Sequence, residues 1–228
     1  MATIFMSSIS VTIKFMAIIR IYFMDNRILS YVTFFILMLK VSMLQAASVL
    51  PLGLERLVDD AQIIFLGKCL SNTTEQELSS GFIVTYTTFQ ILEPIKGVAS
   101  DTHTIKQIGG SLPESAIEYK VSGIPKFEID KEYVIFLPPV SSHGFSSPVG
   151  LEQGRFNVMQ NGVTEISNGR DVEALLKDVP ENKIPTLVRV RLNTKFSRLT
   201  ENAPDQERAR QRMPLKDFMS ILRSMEGQ

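Results

Sequence analysis

The run Phe82-Ile83-Val84-Thr85-Tyr86-Thr87-Thr88-Phe89-Gln90-Ile91-Leu92 decides the fold. β-branched and aromatic side chains fill it, and these suit a pleated, half-buried surface. Two-residue alternation puts Phe82, Val84, Tyr86, Thr88 and Gln90 on one face. It puts Ile83, Thr85, Thr87, Phe89 and Ile91 on the other. Neither face is uniformly polar, so the strand needs cover on both sides, as in a closed barrel or a sandwich. Glu93-Pro94-Ile95-Lys96-Gly97 then reads as a terminating turn.

The pattern extends in both directions. Upstream, Gln62-Ile63-Ile64-Phe65-Leu66-Gly67-Lys68-Cys69-Leu70 reads as the first strand, and the polar stretch 71–81 as a hairpin loop. Leu50, Leu54, Leu57 and Val58 recur at helical spacing and predict a short helix before it. Downstream, residues 102–108 alternate as a third strand, stopped by Gly109-Gly110. Residues 116–121 suggest a short edge strand. Glu132-Tyr133-Val134-Ile135-Phe136-Leu137 is an apolar strand stopped by Pro138-Pro139, and the Ser/Gly/Pro-rich stretch 138–150 is an exposed loop. A late hairpin is expected around Asn161-Gly162, a favoured turn pair. Leu187-Val188-Arg189-Val190-Arg191-Leu192 alternates apolar with basic and reads as a basic edge strand. Residues 200–212 read as a linker or a helix start. Leu215, Phe218, Met219 and Leu222 mark one face of an amphipathic C-terminal helix opened by Pro214. No internal repeat is visible.

Residues 1–47 are of another kind. The stretch 4–23 is apolar but broken by Lys14 and Arg20. Each would cost about 2.5–3.5 kcal/mol near mid-membrane, which argues against a span. Met24-Asp25-Asn26-Arg27 is then a short polar start, residues 28–39 an apolar core, and Gln45-Ala46-Ala47-Ser48 a small-residue end. That is the order of a secretory signal, cut after Ala46 or Ala47. Residues 1–23 are then an upstream extension. The alternative is an uncleaved anchor over 28–44, a stretch approaching spanning length. The division expected is extension 1–23, leader 24–47, β domain 48–170, and basic strand, linker and helix over 171–228.

Charge follows the same division. The chain has 24 basic and 24 acidic residues. Lys14, Arg20, Arg27, Lys40 and Asp25 fall in the first 47, leaving 20 and 23, a net charge of −3. That excludes a general nucleic-acid binder, whose affinity rests on many phosphate contacts. The single cysteine, Cys69, closes no intrachain disulfide, so the fold must stand on its core.

Several phrases carry a resemblance. Ala61-Gln62-Ile63-Ile64-Phe65-Leu66-Gly67-Lys68 is followed by the Val84–Gly97 run, by Gln107-Ile108-Gly109-Gly110, by residues 123–137 and by residues 149–158. This order resembles bacterial exported proteins of unknown function. It is distantly similar to netrin and metalloproteinase-inhibitor-like OB barrels over residues 54 to about 158. The resemblance implies a small antiparallel OB-like barrel or sandwich that binds through one sheet face and its flanking loops, here 109–115 and 141–150. The cysteines of the inhibitor-like branch are missing, and with them the means of chelating a protease metal.

Candidate sites are few. The two histidines, His103 and His143, lie forty residues apart without a metal-ligand spacing. Cys69 sits in an apolar strand, the setting of a small buried hydrophobe rather than a thiolate. Ser111 follows two glycines, but no Gly-x-Ser-x-Gly elbow surrounds it. Gly109-Gly110 opens no Gly-Lys-Ser/Thr phosphate loop, so no cofactor is indicated. Asn72-Thr73-Thr74 is a glycosylation sequon. The strongest charged feature is the stripe Lys183, Arg189, Arg191, Lys195 and Arg198, suited to an acidic partner or anionic lipid, or to guarding a sheet edge.

The expectation is a mainly β, exported, non-enzymatic binding or structural module of the periplasm or exterior. Its partner is a protein or envelope ligand, and residues 28–44 are the segment expected to offer membrane contact. An envelope serine hydrolase using Ser111 and a membrane-tethered accessory protein are the alternatives.

Overall fold

The computed structural model describes residues 50–78, 80–112, 117–197 and 204–227. The extension, leader or anchor of residues 1–47 lies outside the described residues. The fold is mainly β, and it is built on one long antiparallel ribbon. Strand β1 (Ile63–Gln76) pairs with β2 (Ile83–Lys96), each 14 residues long. Both overrun their expected ends. The stretch 71–76 is strand, not loop, because its Thr and Asn side chains find partners across the ribbon: Thr74 with Thr85 at 3.0 Å and Asn72 with Thr87 at 2.7 Å. Cross-strand Thr pairs of this kind support a polar ribbon where apolar packing is absent. Likewise residues 93–96 continue β2 through Pro94.

β3 (Thr102–Ile108) pairs with β2, and β6 (Glu132–Leu137) pairs with the first half of β1. β7 (Arg155–Asn161), β8 (Val163–Ser167) and the short β9 (Met213–Pro214) follow. The sheet is seven-stranded and antiparallel in the order β3-β2-β1-β6-β7-β8-β9. β4 (Gly110–Ser111) and β5 (Glu118–Tyr119) form a separate two-stranded piece. The expected edge strand over 116–121 is thus two residues long.

A register shift in β1 organises the inner face. Cys69 lies opposite Phe89, yet Ser71 lies opposite Thr88, which leaves Leu70 as an extra residue. A bulge of this kind re-aims every side chain beyond it. Before it, Phe65 and Cys69 share a face with Phe89. Beyond it, Asn72 and Thr74 take that same face, opposite Thr87 and Thr85. β3 adds His103, Ile105 and Gln107, which pair with Phe89, Thr87 and Thr85. One sheet face therefore grades from apolar to polar along its length.

Two cores result. The apolar end of the inner face holds Phe65, Cys69, Phe89, Ile105, Phe127 and Tyr133. Phe89 meets Phe127 edge-on at 4.9 Å, and Phe127 meets Tyr133 at 5.1 Å. The opposite face carries the larger core. There Ile64, Leu66, Val134 and Phe136 meet the helices. These are α1 (Leu54–Asp60), α2 (Val172–Leu176), α3 (Thr186–Ser197) and α5 (Leu215–Glu226); the short α4 (Pro204–Arg210) precedes β9. Phe136, Phe156 and Phe218 stack at its centre, with Phe156 and Phe218 4.8 Å apart. The C-terminal helix begins where Pro214 predicts it, and buries Phe218, Met219, Ile221 and Leu222.

The basic strand is the main correction. Residues 186–197 are a helix. Val188 and Leu192, one turn apart, are buried in the large core, while Leu187 and Val190 are exposed. A helix lets one apolar pair bury and frees the rest, whereas a strand would have set Val188, Val190 and Leu192 together on one face. Pro185 starts it, its carbonyl accepting from the Val188 and Arg189 amides. Within 200–212, residues 204–210 are helix, and 198–203 lie outside the described residues.

Candidate functional site

The polar end of the inner face opens into a cavity of about 600 Å3. Small-molecule sites fall within roughly 300–1,000 Å3. Asn72, Thr74, Thr85, Thr87 and Gln107 form its floor, each placed there by the Leu70 bulge or by β2–β3 register. Gly109 to Ser111 and Tyr119 to Ser122 form one wall, and Ile124 to Phe127 the other. Phe127 serves both the small core and the cavity, and so marks the boundary between them.

Local chemistry explains the walls. Gly110 has φ 139°, and a Cβ there would stand 2.3 Å from the Thr85 hydroxyl. Only glycine lets the chain fold back so closely over the threonines. The 126–128 wall is tied down by three bonds. Asn72 Nδ2 donates to the Phe127 carbonyl at 2.8 Å, Arg155 Nη1 donates to the Lys126 carbonyl at 2.5 Å, and the Glu128 amide donates to the Tyr133 hydroxyl at 2.9 Å. Arg155 also lies 5.9 Å from the Phe127 and Tyr133 ring centres.

The floor is uncharged, and two of its five side chains are buried. Thr87 is 1% exposed and Gln107 4%. Gln107 Nε2 is buried and has no hydrogen-bond partner. Leaving such a donor unpaired costs about 1–3 kcal/mol. The lysines stand at the mouth instead. Lys120 and Lys126 have side chains 69% and 77% exposed, and both engage Glu118, at 3.0 and 3.4 Å. The Lys120 hydrogen bond, followed by the Lys126 one, holds the Glu118 carboxyl below its usual range. No family model, curated protein or solved structure matches this chain.

The basic stripe does not form one surface. Arg189 and Arg191 lie about 160° apart around α3. Arg189 pairs with Glu181 at 3.2 Å, and Arg191 with the buried Asp217 at 2.5 Å. Lys195 donates to the Arg212 carbonyl at 2.5 Å, and burial lowers its pKa. Lys183 sits in a one-turn 3-10 segment (Glu181–Lys183), where its carbonyl accepts from the Ser224 hydroxyl. Arg198 lies outside the described residues. The three placed on α3 thus act as ties within the fold.

The reactive candidates are not brought together. His103 packs its ring 5.7 Å from that of Phe65, and burial lowers its pKa. It pairs with Phe89, four strand positions from the Thr85–Gln107 pair over which Gly110 folds. Strand rise therefore separates it from Ser111 by more than about 10 Å. His143 is exposed: its ring nitrogen lies 3.2 Å from the Ser142 hydroxyl, and its carbonyl accepts from Lys106 Nζ at 3.2 Å. Burial raises the Cys69 thiol pKa. Asn72 of the sequon has its Nδ2 committed to Phe127. Among the described residues, no group of three His, Cys, Asp or Glu side chains lies close enough to hold a metal ion. No helix among them is long and apolar enough to cross a membrane.

Of the two expected loops, residues 109–111 line the cavity. The 141–150 loop does not. It straps the free edge of β3: the Ser146 amide donates to the Lys106 carbonyl at 3.0 Å, and Lys106 Nζ lies 4.6 Å from the Phe145 ring centre. Lys106 also pairs with Glu77 at 2.5 Å. The floor residues were missed because the bulge reverses the alternation. Read straight through, Asn72 and Thr74 fall on the face opposite Cys69.

Proposed function

We propose that this chain is an exported, non-enzymatic binding module on an OB-like sheet, and that it takes its ligand over Thr74, Thr85, Thr87 and Gln107. The observation carrying this reading is the buried, unpartnered Gln107 amide in the floor of a cavity of about 600 Å3. A buried donor without a partner is a loss to the free protein that a bound acceptor recovers. The OB-like part of the reading is supported by the strand order. A β3-β2-β1 meander with β6 and β7 added beyond β1 is an OB barrel's order with the closing pair open. Export is supported by the leader pattern of residues 24–47.

Two measurements test it. Ligand-observed NMR of a neutral fragment library should give hits that disappear in Ser122→Trp, which fills the cavity from its exposed wall. Hits indifferent to that change, or none, overturn the binding reading. Mass spectrometry of protein recovered from the cell exterior or envelope should find Ser48 or Ala47 as the first residue. Recovery only from the cytoplasm, with residues 24–47 intact, removes export.

A further inference from the structure

We infer that the cavity selects an uncharged, hydroxyl-rich ligand, a neutral saccharide of about two rings, and this rests on the binding reading above. The inference follows from the protons of the floor. A hydroxyl has one proton to donate. That of Thr85 goes to the Gly109 carbonyl at 2.7 Å. The Thr74–Thr85 contact at 3.0 Å must therefore be donated by Thr74. The Thr87 proton goes to Asn72 Oδ1, and Asn72 Nδ2 donates to Phe127. What remains free is a set of threonine lone pairs and the Gln107 amide nitrogen with its two protons. The ligand must bring several donors and at least one acceptor.

Charge narrows the choice. No floor residue is ionisable, so a charged group reaching Gln107 would be desolvated without a counter-charge. A purely apolar ligand would leave the amide unpaired, as it is now. An alkyl ammonium fails on the first count and a lipid chain on the second. Geometry narrows it again. The floor is a face of side chains: β2 is paired on both sides there, and the unpaired edges belong to β3 and to the far half of β1, at the margins of the cavity. Peptides bind sheets by adding to such an edge, whereas a ligand lying over the threonines meets side-chain hydroxyls and an amide. Adjacent sugar hydroxyls both donate and accept. The apolar face of the ring has Tyr119, 46% exposed, to lie against in the cavity wall.

The test is saturation-transfer NMR and calorimetry of the whole chain with maltose, cellobiose and N,N′-diacetylchitobiose. An end-capped tetrapeptide and the anionic sugar galacturonic acid serve as comparisons. At least one neutral disaccharide should bind. Gln107→Leu should weaken it by about tenfold while leaving the melting temperature unchanged or higher, because an unpaired buried donor is removed. Raising the ionic strength should change its affinity by less than about twofold, since a neutral ligand makes no ion pair for salt to screen. Loss of binding at high salt, or preference for galacturonic acid, overturns the neutral class. If only the capped peptide binds, and does so through Gln107, the saccharide class falls while the cavity reading survives. If fragments bind in the Ser122→Trp-sensitive manner but no disaccharide does, the class again falls alone.

Discussion

Asp217 is the most exposed to mutation of the buried polar groups. Its side chain is 4% exposed, and one oxygen accepts from Arg191 at 2.5 Å while Oδ2 has no partner. Removing the guanidinium leaves a carboxylate stranded beside Phe218 in the first turn of α5. Arg191→Ala should therefore cost about 3 kcal/mol, read from urea midpoints at constant slope. Arg189→Ala, which breaks only an exposed pair with Glu181, should cost less than about 1 kcal/mol. Equal losses would mean that the Arg191 pair is no more buried than the other. His103 supplies the pH dependence at this scale. Burial lowers its folded-state pKa below 6.5. The unfolded chain then takes up the proton first as the pH falls. Stability is complete above 6.5 and declines as the pH drops through 6.5 toward the folded value. His103→Phe keeps a ring against Phe65 and removes the titration. The melting temperature of the variant should fall less between neutral and mildly acidic pH than that of the parent. Parallel pH profiles would exclude His103 as the source.

Among the elements, α3 separates local pattern from tertiary context. Val188 and Leu192 are 3% and 6% exposed, and Val190 is 57% exposed. A strand with the same alternation would bury all three together. Leu192→Ala should cost about 2–4 kcal/mol, and Val190→Ser less than about 0.5 kcal/mol. Comparable losses at 190 and 192 would restore the strand. Nothing in the six residues 187–192 alone chooses between the two, because period-two and i,i+4 spacing both fit them. The choice is made by Pro185 and by the large core that receives the buried pair. By contrast, the strand over 82–92 and the C-terminal helix were legible, because their periodicity runs unbroken over two or more turns or pleats. The candidate site was legible only in part. Gly109-Gly110 announced a sharp reversal, and Phe89 and Thr87 fell on their true shared face. Leu70, the extra residue that brings Asn72 and Thr74 to that face, has no signature of its own in the chain.

For the whole molecule, the consequence is cooperativity. β1 and β6 each give alternate residues to opposite cores. Ile64 and Leu66 enter the larger, and Phe65 and Cys69 the smaller; Val134 and Phe136 enter the larger, and Tyr133, Ile135 and Leu137 the smaller. Neither core can lose its packing while the other keeps both strands. The cavity floor is the continuation of these same strands, so its geometry depends on the two cores together. Cys69 reports on this directly. It is fully buried, and burial raises its thiol pKa, so native protein holds little thiolate at neutral pH. Labelling with a thiol reagent should therefore require the strands to part. The labelled fraction plotted against urea should coincide with the loss of far-ultraviolet circular dichroism, as a two-state transition demands. Phe218→Ala, placed on the far face of the sheet, should shift both curves together to lower urea. Labelling that begins well before the dichroism falls would instead show the small core opening alone, and the floor would then be a separately mobile surface rather than one made rigid from both sides.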